Sequence, residues 1–154
     1  MAFATAPIEN QTYWELFLKI LTEAYGLLER EKLVILSDRE KGISNALFKV
    51  LPNAAHSHCL FHIEKNIKNI FKRSTNGMIW KAAKALSSEA FEAAMMEIEQ
   101  NYSPIAEYLR NIPQSNWATA FFPFQRYGHV TSNIAESINA WMCDIRGLAP
   151  LGII

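Results

Sequence analysis

Leu33-Val34-Ile35-Leu36-Ser37-Asp38 is the stretch that decides the fold. Four apolar residues in a row, ended at once by Ser and Asp, form the pattern of a short strand buried on both faces and closed by a turn. Strands of that kind belong to parallel sheets covered by helices. The flanks agree. Upstream, Trp14, Phe17, Leu18, Leu21, Tyr25 and Leu28 recur at helical spacing, with a stop near Gly26. Downstream, Ile43, Ala46, Leu47 and Val50 mark a second helix stopped at Pro52, and residues 55–60 read as the next strand. With residues 2–8 as a first short strand, the order is strand, helix, strand, helix, strand. Such alternation argues for an α/β class with parallel neighbours joined by crossover helices.

After Ile63 the character changes. Ile63, Ile67 and Ile70, then Ile79, Ala82, Ala83 and Leu86, then Phe91, Ala94, Met95 and Ile98 predict several short helices over residues 63–111. Residues 117–124 form an aromatic connector, and a last helix is expected over residues 131–146. One domain accounts for residues 1–154, without internal repeats or low-complexity tracts. Fifteen basic and fifteen acidic side chains cancel, so any nucleic-acid contact must come from a local patch. Cys59 and Cys143 are too few for a disulfide framework, which fits a reducing compartment. No apolar run reaches the roughly 20 residues that cross a bilayer, so a soluble protein without a membrane partner is expected. Both ends are abrupt, as in a fragment.

Asp38 falls where a buried strand ends, and the carboxyl ends of strands in open α/β sheets are where ligands and metals collect. It also suits a turn start or a helix cap. Glu136 belongs to the first turns of the last helix, where it could share a divalent cation with a second carboxylate. Asn133 three residues earlier offers the other reading, a variant capping box. His56, His58, Cys59 and His62 crowd into seven positions, and the gap between Cys59 and His62 recurs in zinc sites. Zinc needs four ligands, and His129 and Cys143 are the only further candidates; a packed Cys and a His at a helix start are the alternative. Lys65, Lys68 and Lys72, beside Arg73, lie along one helix face opposite Ile63, Ile67 and Ile70. That stripe suits phosphates or is simply a solvated face. Arg126, Tyr127 and His129 form a second polar cluster of the same kind.

Three segments in order carry a resemblance: Leu36-Ser37-Asp38-Arg39-Glu40-Lys41-Gly42; His56, Cys59, His62 and Asn66; and Arg126-Tyr127-Gly128-His129 with Thr131-Ser132-Asn133, Glu136, Ser137 and Asn139. They resemble the Mutator-like element (MULE) transposase domain, and the likeness covers nearly the whole chain. It implies an RNase H-like fold interrupted by an all-helical insertion at residues 63–111. It also implies an Asp-Asp-Glu triad holding Mg²⁺ or Mn²⁺ for DNA strand cleavage and transfer. Asp38 matches the second Asp, Glu136 the Glu, and Cys59 with His62 the Cys-x-x-His element. The first Asp belongs on an earlier strand, and no residue here matches it.

The resemblance thus implies a partial catalytic domain with a truncated RNase H-like sheet, exposed at its unpaired edges and prone to self-association. Its partners would be DNA at transposon ends and, in a homo-oligomer, other copies of itself, and its location would be the nucleus. Little or no catalysis is expected of this piece alone. Two rival readings are a domesticated, transposase-derived DNA-binding regulator of transcription and a relic without a role.

Overall fold

The computed structural model describes residues 6–132 and Ser137. Helix α1 (Gln11–Tyr25) starts where the Asn10 side chain accepts the Tyr13 N–H, and stops at Gly26, whose left-handed φ of 59° costs glycine little. Strand β1 (Val34–Ser37) leads into helix α2 (Lys41–Val50), and strand β2 (Ala55–His58) returns parallel to β1. Pro52 lies two residues past the end of α2, as the sequence requires. Ala6, Pro7 and Ile8 are not in a strand, and the rest of the expected first strand, residues 2–5, lies outside the described residues.

The two-stranded sheet is mixed with a helical majority, and β1 differs from its expected burial. All four of its residues are half-buried. Among the described residues β1 has one strand neighbour, β2, so one edge carries no ladder and its cover is incomplete. In the register Val34 pairs with Ala55, Ile35 with His56, Leu36 with Ser57 and Ser37 with His58. Partners in parallel strands project to the same side, so Ile35, Ser37, His56 and His58 share one face of the sheet. On that face Ile35, with Leu33 and Ala54, packs on a small core of Leu18, Ile43, Ala46, Leu47 and Leu51 contributed by α1 and α2 and the residue after α2. Gly42 allows the close crossing of these helices. A Cβ there would meet the backbone N of Gln11 at 3.0 Å and the carbonyl carbon of Asn10 at 3.2 Å.

The larger core is helical. It joins α3 (Leu60–Phe71), α4 (Met78–Lys84) and α5 (Ser88–Arg110), with no strand between residues 60 and 110. Ile63, Ile67, Ile79, Phe91, Met95, Ile98 and Leu109 are almost completely buried. Helix α5 is broken at Tyr102 (φ −151°, ψ 67°), two residues before Pro104, whose missing N–H and bulky ring prevent an unbroken turn. The connector that follows is built of 3₁₀ turns and places Trp117 and Phe121 edge-on against Phe91, at 5.4 and 5.1 Å between ring centroids. Ile70 departs from its expected place opposite the lysines: it is 59% exposed, because Leu60, Ile63 and Ile67, rather than Ile70, face the core shared with α4 and α5. No helix of the described residues is long and apolar enough to cross a membrane.

Candidate functional site

Asp38 follows the last residue of β1 and is half-buried. It does not cap α2. The Glu40 carboxylate does so, accepting the Ile43 N–H at 3.1 Å, which leaves the Asp38 carboxylate without that role. The backbone of Asp38 is held instead by its neighbour, since Ser37 Oγ donates to the Asp38 carbonyl at 2.7 Å. The same oxygen lies 2.8 Å from His56 Nε2. Its one proton is committed to Asp38, so Ser37 Oγ accepts, and His56 must carry its proton on Nε2.

His56 and His58 sit together because a strand returns to the same face every second residue. Their rings meet edge to face with centroids 4.7 Å apart. Burial pulls the His56 pKa below its ordinary value, partly offset by the Asp38 carboxylate nearby. His58 is pushed down to about 4, first by burial and then by the positive fields of His56 and Arg39. Both imidazoles are therefore neutral near pH 7.

Two further contacts tie this strand end to the helical core. The ladder bonds from the Ala55 and Cys59 N–H groups to Leu33 and Ser37 turn the odd-numbered backbone groups of β2 toward β1. The His56 carbonyl therefore faces the other edge, where Asn116 Nδ2 donates to it at 2.9 Å. Arg39 Nη2 donates to Tyr108 Oη on α5, also at 2.9 Å. Asn116 and Tyr108 carry no motif that marks them in the sequence, whereas Ser37 lies in the motif around Asp38. Only Ser37, by its place at the strand end, could have been found there.

Cys59 is fully buried and free, and its Sγ accepts the Ser132 N–H at 3.3 Å. Together with the bond from Leu60 N to the Val130 carbonyl, 2.9 Å, this fastens the chain after the connector to the end of β2. His62 lies half-buried on the first turn of α3, with Phe61 edge-on at 5.9 Å. Among the described residues no group of three or more His, Cys, Asp or Glu side chains is arranged to hold a metal ion. Glu136, Asn133 and Cys143 lie outside the described residues, and so does the approach of Glu136 to Asp38.

Lys65 and Lys68 are exposed on α3. Lys72 is beyond the helix end, at its cap, in left-handed backbone with φ 54°. Arg126 is placed differently from these surface cations. It is 5% exposed, with Nη1 donating to the Trp117 carbonyl at 2.8 Å and the guanidinium 5.0 Å from the Phe122 ring centroid.

Comparison with known proteins agrees with a transposase likeness. Residues 1–66 match the MULE transposase domain family. The chain is 26% identical over 149 residues to the transposase for insertion sequence element IS905 of Lactococcus lactis subsp. lactis (strain IL1403), covering 90% of this chain and 37% of that protein. It is 26% identical over 146 residues to the transposase for insertion sequence element IS1201 of Lactobacillus helveticus, covering 89% of this chain and 39% of the relative. The chain thus spans less than two fifths of the length of these relatives. It is a transposase-like sequence, similar to the MULE transposase domain over residues 1–66 and to insertion sequence transposases over nearly all of its length.

Proposed function

We propose that this chain is part of a transposase catalytic domain, in which Asp38 and Glu136 are two of three acidic residues that hold Mg²⁺ or Mn²⁺ for DNA strand cleavage and transfer. The observation that carries the reading is the position of Asp38. It leaves the carboxyl end of a strand in a parallel β-α-β unit, inside the matched segment, and Glu40 has taken over the capping that would otherwise account for it. In this reading β1 and β2 are two strands of an RNase H-like sheet, and residues 63–111 are a helical insertion into it. The free edge of β1 is then where further strands of the same sheet belong. DNA is the partner, and a nuclear location rests on the family resemblance alone.

The described residues do not by themselves fit a divalent ion, because Asp38 is not joined there by enough oxygen donors. Mg²⁺ demands near-octahedral geometry and gains little from an incomplete set. With Asp38 and Glu136 as two of three acids and no residue matching the first, the 154-residue chain alone is expected not to nick DNA. The test is a nicking assay on supercoiled plasmid with Mg²⁺ or Mn²⁺, beside Asp38→Ala and beside a longer chain carrying the upstream reading frame. Nicking by the longer chain alone, lost in Asp38→Ala, supports the reading. Nicking by the short chain that disappears in Asp38→Ala refutes the need for a third acid, and silence in both favours a non-catalytic role.

A further inference from the structure

We propose that the cavity walled by Arg126 receives one nucleotide of a DNA strand, its phosphate drawn by Arg126 and Lys84 and its base laid against Tyr127. The cavity measures about 690 Å³, within the range of about 300–1,000 Å³ that takes small-molecule-sized groups. Lys84, Leu86, Phe122, Phe124, Arg126 and Tyr127 contribute to its wall, and among the described residues no carboxylate does. The described part of this wall is thus positive.

Arg126 makes the lack specific. Its Nη1 is satisfied by the Trp117 carbonyl, while Nε and Nη2 are buried with no acceptor among the described residues. A desolvated guanidinium with open donors is costly, and its field is poorly screened, so an anionic oxygen at this wall is favoured over any neutral group. Lys84, exposed in the last turn of α4, adds a second cation on the same wall. The aromatic surface selects among anions. Tyr127 stands 83% exposed at the tip of a tight turn closed by the bond from His129 N to the Arg126 carbonyl, 2.8 Å. Cations interleaved with an exposed ring form the arrangement that holds a single strand, phosphates on the charges and bases on the ring face.

The inference rests on the transposase reading, which makes DNA the polymer at hand. Its test is a fluorescence anisotropy titration of the full chain with a labelled oligothymidylate of about 12 nucleotides, with competition by inorganic phosphate and by thymidine 5′-monophosphate. Tyr127→Ala should weaken binding by about 5- to 150-fold. Lys84→Gln should lower the slope of log affinity against log salt by about 0.7. Both residues are exposed, so these variants remain folded where Arg126→Gln, in the core, need not. Thymidine 5′-monophosphate should compete better than inorganic phosphate. Wild-type binding in both variants overturns the site, and if a Lys65→Gln, Lys68→Gln double variant weakens binding in their place, the DNA reading survives on another surface. Equal competition by the two anions overturns the nucleotide. No binding at all overturns the site as well, while the nicking test judges the transposase reading separately.

Discussion

Ser37 and His56, nineteen residues apart in the chain, are joined at 2.8 Å, and the same Ser37 hydroxyl holds the Asp38 carbonyl at 2.7 Å. The order of donors runs from the His56 ring to Ser37 and from Ser37 to the backbone of Asp38. The turn that presents the Asp38 carboxylate is therefore anchored on β2 as well as on β1.

Ser37→Ala is expected to cost about 1 kcal/mol, the net worth of an ordinary hydrogen bond, and to free the His56 tautomer. Chemical denaturation reads the first effect and the ¹⁵N shifts of the imidazole read the second. A His56 ring that stays protonated on Nε2 in the variant would show that Ser37 does not set the tautomer.

Acidification should loosen the fold through the histidine pair. His58 titrates near 4 in the folded chain against an ordinary 6.5, so below 6.5 the unfolded chain binds a proton that the folded chain refuses. Stability is full above pH 6.5 and is lost as the pH falls toward 4, on the order of 2 kcal/mol by about pH 5. His56, lowered in the same direction, adds to the loss. Urea midpoints at about pH 7 and pH 5 measure it. His58→Asn should flatten most of the difference, and an unchanged pH profile in that variant would remove His58 as its source.

Gly42→Ala should destabilise the chain by about 1–3 kcal/mol, since the added methyl meets the backbone at the start of α1 rather than a flexible side chain alone. The Glu40 carboxylate, 2.6 Å from that methyl position, can swing away, but only by giving up the cap it makes on Ile43. A denaturation midpoint equal to wild type would mean that α1 and α2 separate freely.

Phe91→Ala should cost about 3–5 kcal/mol, because Phe91 is fully buried and both Trp117 and Phe121 pack edge-on against it. Phe48→Ser, at a position 82% exposed on α2, should leave stability within about 0.5 kcal/mol of wild type. A loss at Phe48 comparable to that at Phe91 would place Phe48 in an interface between copies of the chain, which concentration-dependent sedimentation would then show.

Local pattern determined much of this protein. The spacing of Trp14, Phe17, Leu18 and Leu21, the apolar run into β1, and the stops at Gly26 and Pro52 each act within a few residues, so α1, β1, α2 and β2 and their parallel order could be read directly. The motifs around Asp38 and Cys59 likewise carried the transposase likeness. Tertiary structure decided what pairs with what. The sequence treats Val34 to Leu36 as buried, but burial depends on neighbours, and the described strands leave one edge of β1 open. Ile70 follows helical spacing yet points to solvent, since the packing of α3 on α4 and α5 is narrower than its apolar stripe. Arg126 reads as a surface cation, but the connector folds Trp117 and Phe122 over it. Asn116 reaches the His56 carbonyl across sixty residues of chain. Contacts of that range depend on where whole elements pack, and no period of two or of 3.6 encodes them.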